Sequence, residues 1–244
     1  MCRHLGYLGP ARSVGDVLTG GPNSLRVQSW APKDMRGGGT INADGFGAAW
    51  WTPDGVADYR NAMPIWSDPA VETVLGGIES TAVVAAVRSA TVGMPVERSA
   101  CAPFTDGTWA FSHNGVVFGW PDALADLAAD VPPTALLRLQ APTDSAALWV
   151  ILQHLLRDFE PEKALRELVS RVRSTSPNPR LNLLLGDGTT LYATTLYHSL
   201  AVLDTGDSVT VASEPLDDNS RWRLVDDKKF VRVRPGRVDI TDLE

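Results

Sequence analysis

Cys2 stands directly behind the initiator methionine. That methionine is normally removed before a small residue, and Cys2 would then begin the mature chain with both a thiol and a free α-amine. The reference pKa of such an amine, about 7.7–8.0, lets it take up a proton near neutral pH. One residue then supplies nucleophile and base, the N-terminal form of nucleophile activation. The plainer alternative is a small residue opening a strand. The second of the two cysteines, Cys101, lies in Ser99-Ala100-Cys101-Ala102-Pro103. It offers a rival nucleophile if His113 serves as its base and Asn114 orients the imidazole. Two residues of one turn point in different directions, which argues against that dyad, so Cys101 reads as a structural thiol. A chain with two cysteines does not depend on a disulfide frame. The four histidines, His4, His113, His154 and His198, lack metal-ligand spacing. Gly37-Gly38-Gly39 lacks the Lys-Ser/Thr ending of a phosphate loop.

Four pieces follow one another along the chain: Cys2-Arg3-His4-Leu5-Gly6, Arg88-Ser89-Ala90-Thr91, His113-Asn114-Gly115 and Thr143-Asp144-Ser145. In order and approximate spacing they resemble the class II glutamine amidotransferase family. Asn42-Ala43-Asp44-Gly45-Phe46-Gly47 and Ala212-Ser213-Glu214-Pro215 resemble a stand-alone branch of it. Within that branch the chain is most similar to members that hydrolyse γ-glutamyl-hercynylcysteine sulfoxide in ergothioneine biosynthesis. The resemblance spans nearly the whole chain and is thinnest over residues 120–142. It implies an N-terminal-nucleophile hydrolase with a four-layer αββα sandwich, the nucleophile at the mouth of two sheets. The implied reaction is hydrolysis of a γ-glutamyl amide, without metal or organic cofactor.

The resemblance also assigns roles, and each has a bland counterpart. A γ-glutamyl group ends in an α-carboxylate and an α-ammonium. Arg88 suits the carboxylate through a forked, charge-assisted bond; otherwise it is a strand-end arginine reaching to water. Thr91 adds a hydroxyl or backbone contact. Asp144 suits the ammonium, and otherwise is the N-cap of a helix. The Asn114 side-chain amide and the Gly115 N–H form an oxyanion hole; Asn-Gly is also the favoured two-residue hairpin turn. A hercynyl group carries a trimethylammonium, which aromatic faces bind, so Trp30, Trp50, Trp51 and Tyr7 become candidate cage residues. Trp50 and Trp51 adjoin in a strand and cannot both face one pocket. Family members commonly have an aromatic residue after the arginine and a histidine after the threonine. Here Ser89 and Val92 stand there, which favours a γ-glutamyl amide larger than glutamine. A glutaminase feeding ammonia to a separate synthase and a glutathione-like γ-glutamyl-peptide hydrolase remain alternatives. A non-catalytic binding module follows if Met1 is retained.

The elements that must position these residues can be read coarsely. Residues 1–8 read as a strand, 9–40 as loop, and Phe46 to Trp51 as a buried strand. Pro53-Asp54-Gly55 turns that strand into a hairpin with residues 56–60. Asp68-Pro69 starts a helix running to about Ile78. Thr81 to Val87 is a strand that delivers Arg88, and Trp109 to Ser112 is another, with Asn114-Gly115 as its turn. Helices are expected over 144–158 and 161–173, with an exposed loop over 130–142. Short strands follow over 181–185, 190–195, 199–204, 209–213, 229–234 and 237–240, with turns at Gly186-Asp187-Gly188 and Thr205-Gly206-Asp207. Strands, then helices, then strands give an α+β class with two antiparallel sheets, in one domain over 2–244. The 22 basic against 29 acidic residues leave a net charge of −7, which disfavours nucleic acid and anionic membranes as partners. No apolar run of membrane-spanning length or secretory signal is visible, and a cytoplasmic location is expected. The expected partner is a small γ-glutamyl substrate; self-association into a homo-oligomer stays open.

Overall fold

A computed structural model of the chain describes residues 2–34, 36, 38 and 41–243. Met1, Gly37 and Gly39 therefore lie outside the described residues. The first half comprises β1 Arg3–Ser13, α1 Val14–Thr19, α2 Leu25–Gln28, β2 Phe46–Thr52, β3 Gly55–Asn61, α3 Ala70–Thr73, β4 Glu79–Val87, β5 Phe104–Thr105 and β6 Ala110–Val116. The second half holds α4 Ala125–Ala129, α5 Pro133–Leu136, α6 Asp144–Asp158, α7 Pro161–Thr175, β7 Arg180–Gly186, β8 Leu191–Thr194, β9 Ala201–Asp204, β10 Val209–Ala212, β11 Arg223–Leu224, β12 Lys229–Arg234 and β13 Arg237–Asp242. Two sheets form, ordered β11-β9-β10-β1-β4-β2-β3 and β13-β12-β8-β7-β6-β5. Every neighbouring pair is antiparallel.

Three apolar clusters define the layers. Leu5, Phe46, Val83 and Ala85 pack the outer face of the first sheet against Val14, Leu18, Leu25 and Val71 of the short helices. Phe111, Leu181, Leu183 and Leu185 pack the outer face of the second sheet against Leu148, Trp149, Leu152, Leu165 and Leu168. Leu8, Ala82, Val84, Ala110, Leu184 and Ala193 fill the space between the sheets. The order is helix, sheet, sheet, helix, as expected. Alternate side chains of each strand feed opposite clusters, so the inter-sheet rows are readable. They run His4, Gly6, Leu8 on β1, Ser112 and Asn114 on β6, and Arg180, Asn182, Leu184 on β7.

The two long helices match their sequence signals. Thr143 caps α6 by accepting from the Ala146 N–H at 3.2 Å, and α7 starts on Pro161. Its buried stripe of Ala164, Leu165, Leu168, Val169 and Val172 is the 3.6-residue pattern of an amphipathic helix.

Four expectations are corrected. The stretch 9–40 is not all loop: β1 continues to Ser13, with a register shift between Leu8 and Arg12, and Ser13 and Ser24 cap α1 and α2. The helix at Asp68-Pro69 ends at Thr73, and a 3₁₀ turn Leu75–Gly77 follows; Gly76 and Gly77 are poor helix formers. The segment 130–142 carries α5. Asn114-Gly115 is not a turn. The β6 ladder runs through it, pairing Asn114 with Asn182, Gly115 with Leu181 and Val116 with Arg180. The strand that these residues pair with, β7, lies beyond the α6–α7 pair in sequence, so no hairpin closes there.

Candidate active site

Cys2 immediately precedes β1, whose Arg3 pairs with Val87 at the end of β4. That register puts the Cys2 thiol beside the segment after β4, where it donates to the Ser89 carbonyl at 3.7 Å. Cys2, Ser89, Ala90, Thr91, Asn114 and Gly115 share the walls of one open pocket of about 280 Å³. Strands β1 and β4 bring the first four from one sheet, and β6 brings the last two from the other. Ser213, just past β10, ties the two sides together. Its Oγ accepts from the His4 N–H at 3.0 Å, its own N–H donates to the His4 carbonyl at 3.0 Å, and Asn114 Nδ2 reaches its Oγ at 3.5 Å.

Asn114 is buried, and the other end of its amide has no protein partner. A half-turn about the last side-chain bond exchanges its O and NH₂ without changing shape. One end of this amide is therefore uncommitted inside the site, the condition an oxyanion donor needs. Gly115 is required by space: a Cβ there would stand 1.8 Å from the Arg180 carbonyl oxygen. Gly45 has a comparable constraint. Its φ is +119°, and a Cβ would come 2.3 Å from Cys101 Sγ. It belongs to the Asn42-to-Gly45 turn, which is bonded to the strand end by Asp44 N–H to Arg88 carbonyl at 3.0 Å and Ala90 N–H to Asp44 Oδ2 at 2.7 Å.

Arg88 and Asp144 do not line the pocket; Arg88 directly precedes Ser89 of its wall, and Asp144 bonds the Val117 N–H between Val116 and Phe118 of its wall. Arg88 is 8% exposed and donates to the Pro95 carbonyl at 2.8 Å. Asp144 is 4% exposed, and its carboxylate accepts from the Val117 N–H at 2.9 Å and the Ser145 N–H at 2.7 Å. It is the first residue of α6, and Thr143 is the N-cap. The expected capping role of Asp144 is thus replaced by a different one, fastening the loop after β6 to the start of α6. Oδ1 also accepts from the Ser145 hydroxyl at 3.4 Å, whereas Oδ2 keeps a second lone pair for an ammonium.

The rival dyad is absent. His113 faces the helical layer, with Nδ1 on Ser145 Oγ and Nε2 on the Arg180 carbonyl, both at 2.9 Å. Cys101 donates towards the carbonyls of Asn61 and Glu97, each at 3.4 Å. Burial pushes its thiol pKa up to about 11, so it stays protonated at neutral pH. The aromatic cage expected from Trp30, Trp50, Trp51 and Tyr7 does not form at Cys2. Trp50 and Tyr7 are buried in the outer core, Trp51 packs against the inter-sheet core, and Trp30 meets Trp66 edge-on.

Several residues given no role by the sequence reading also shape the site. Arg3 and Glu214 form a buried ion pair at 3.0 Å, with side chains 1% and 3% exposed. Glu214 also accepts from the Lys33 and Asp34 N–H groups at 2.8 and 3.1 Å, so one carboxylate holds both the residue after Cys2 and the loop that runs towards the pocket. Arg180, Phe118 and His198 complete the pocket wall. Burial drives His198 and the inter-sheet His4 down to a pKa of about 3, with neighbouring positive charge adding to the effect. Both imidazoles are neutral in the folded protein.

The αββα sandwich that carries this pocket has counterparts among known proteins. Residues 23–204 match the family of class II glutamine amidotransferases. The chain belongs to that family. Two relatives align over the full 244 residues at 39% identity. They are the γ-glutamyl-hercynylcysteine sulfoxide hydrolases of Mycolicibacterium smegmatis, matched over 100% of its length, and Mycobacterium tuberculosis, matched over 97%. The structure of a class II glutamine aminotransferase domain protein from Silicibacter pomeroyi superposes with a TM-score of 0.71 at 21% identity, covering 99% of both chains. As a class II amidotransferase relative, the chain shares its sandwich with that protein. Among the described residues no helix is long and apolar enough to cross a membrane.

Proposed function

We propose that this chain is an N-terminal cysteine hydrolase of γ-glutamyl amides, acting on γ-glutamyl-hercynylcysteine sulfoxide to release glutamate and hercynylcysteine sulfoxide. The observation that carries the reading is the convergence of Cys2 with the uncommitted Asn114 amide and Gly115 in one pocket. The full-length similarity to the two mycobacterial hydrolases supports the choice of substrate.

After removal of Met1 the Cys2 α-amine takes the thiol proton, and the thiolate attacks the γ-carbonyl. The oxyanion that forms is held by Asn114 and Gly115, donors fixed in place before reaction. Arg88 and Asp144 bind the α-carboxylate and α-ammonium of the glutamyl head from just behind the wall, and Thr91 contacts it from the rim. The tetrahedral intermediate collapses as the leaving nitrogen takes the proton from the Cys2 ammonium. Water, deprotonated by the same amine, then cleaves the thioester, releasing glutamate and restoring the thiol. His4 and His198 are too weakly basic to replace the amine.

Intact-mass measurement tests the first requirement: the purified protein must lack one methionine. Glutamate release is then followed with glutamine, glutathione and γ-glutamyl-hercynylcysteine sulfoxide side by side. The sulfoxide should be turned over fastest, and Cys2→Ala should abolish release. Preference for glutamine would make the chain a glutaminase instead.

A further inference from the structure

The pocket has a wall that the γ-glutamyl head does not use. Arg180 opens β7 on its inter-sheet row, opposite Val116. Its guanidinium carbon lies 4.1 Å from the ring centroid of Tyr197 and 5.7 Å from that of Phe118. No carboxylate among the described residues pairs with it. Beside it, His198 is 3% exposed, lines the same pocket, and has a buried Nδ1 without a protein partner.

The wall is rigidly built. Asn182 Oδ1 accepts from the N–H groups of Leu196 and His198 at 3.1 and 3.0 Å, and its Nδ2 donates to the His198 carbonyl at 2.9 Å. Asp227 Oδ1 accepts from the Tyr197 N–H at 2.7 Å. Tyr197 is held at φ +95°, a conformation unfavourable for an aromatic residue. These bonds keep the Tyr197 ring under Arg180 and the His198 imidazole in the pocket.

A ring-stacked cation with no carboxylate partner among the described residues, beside a neutral imidazole and in the wall of the pocket that holds the nucleophile, matches a carboxylate ligand. Glutamine presents none on its leaving side, since it loses ammonia. A γ-glutamyl amide of an α-amino acid carries a carboxylate one carbon from the scissile nitrogen. We infer that Arg180, with His198 donating beside it, binds the leaving-side α-carboxylate and so selects γ-glutamyl amino acids over glutamine and simple γ-glutamyl amines. This rests on the γ-glutamyl hydrolase reading above, whose substrate bears such a carboxylate on its cysteine.

The test uses γ-glutamyl-alanine and γ-glutamyl-ethylamide, which differ only by that carboxylate. Wild type should prefer the alanine compound in kcat/KM by about 10- to 100-fold, the discrimination expected of a charge-assisted hydrogen-bonded pair. Arg180→Gln should erase the preference, losing activity on γ-glutamyl-alanine while staying within about 3-fold of wild type on the ethylamide, because the glutamyl clamp is untouched. Arg180→Lys should keep part of it, as a point charge without the fork. Equal losses on both substrates, or a wild type without preference, overturn the assignment. If wild type with a free Cys2 amine cleaves neither compound but does cleave γ-glutamyl-hercynylcysteine sulfoxide, the Arg180 assignment fails; if it does not cleave the sulfoxide either, the γ-glutamyl reading itself fails.

Discussion

Glu214→Gln tests how Cys2 is held. The pair it breaks is buried on both sides, with Arg3 Nη2 at 3.0 Å from Glu214 Oε1. Removing one member of a buried pair costs about 3–5 kcal/mol, and Arg3 keeps its bond to the Asp34 carbonyl, which places the loss at the lower end of that range. Glutamine keeps the volume but exchanges one carboxylate oxygen for NH₂, and both oxygens already accept from backbone N–H groups, of Lys33 and Asp34. One acceptor is therefore lost as well as the charge, so about 3 kcal/mol should disappear from a total that is ordinarily about 5–15 kcal/mol. Urea unfolding at pH 7, followed by tryptophan fluorescence, gives the number. A cycle with Arg3→Met isolates the pair: the double variant should lose less than the sum of the singles, with a coupling of about 2 kcal/mol or more. Arg3 adjoins the nucleophile, so kcat should fall even where the variant remains folded, because a displacement of about 1 Å suffices for a 10²-fold loss. A Glu214→Gln protein within about 1 kcal/mol of wild type, or an additive cycle, would refute the claim that this pair anchors the nucleophile.

Asn114→Asp replaces a donor by an acceptor in the proposed oxyanion hole and should raise the barrier by about 2.7–4 kcal/mol, read as kcat, with KM little changed. Gly115→Ala should slow kcat about 10²-fold and destabilise by about 1–3 kcal/mol, measured by the same urea melts, because its Cβ would meet the Arg180 carbonyl at 1.8 Å and force β6 from β7. Asp144→Asn should lose turnover and also about 1–3 kcal/mol of stability, since its carboxylate bonds buried backbone rather than capping α6; a thermally unaltered variant would restore the simpler cap reading. Acid should destabilise the fold through His4 and His198. Their folded pKa of about 3 lies below the ordinary 6.5, so the unfolded chain binds more protons between those values. Stability from them is complete above about pH 6.5 and is lost as pH falls towards 3, by up to about 1.4 kcal/mol per pH unit for each histidine. A Tm that stays flat from pH 7 to pH 4.5 would contradict this.

The residues that touch the pocket by virtue of local signals were legible before the fold. Cys2 is marked by its position, and the β-branched run Thr81 to Val87 carries Arg88 and Thr91 to the pocket edge. Asn114-Gly115 shows where local reading stops. The dipeptide is a strong hairpin signal, but the ladder to Asn182 and Leu181 overrides it, and that ladder joins strands separated in sequence by α6 and α7. Its glycine is explained by the approach of the Arg180 carbonyl, a contact between residues 65 positions apart in chain numbering, rather than by turn geometry. The layered fold was legible for a related reason. Strand and helix periodicities are local, and the two sheets need only alternation, whereas register needs the partner.

The same distinction separates the two ends of the proposed substrate. The glutamyl end is read from motifs, because Cys2, Arg88, Asn114, Gly115 and Asp144 each lie in a recognisable run. The leaving end depends on Arg180, a lone arginine opening an apolar strand, and on His198, a lone histidine in a loop. Neither is informative until Val116 pairs with Arg180 and Asn182 grips the 196–198 backbone. Glu214 lies between these cases: its run was recognisable, but its task required knowing that Arg3 is buried opposite it. On these proposed assignments, reaction class and specificity occupy different kinds of residue. A substitution at Arg180 can change what leaves without disturbing the motifs from which the chemistry is read, so relatives that share those motifs need not share a substrate.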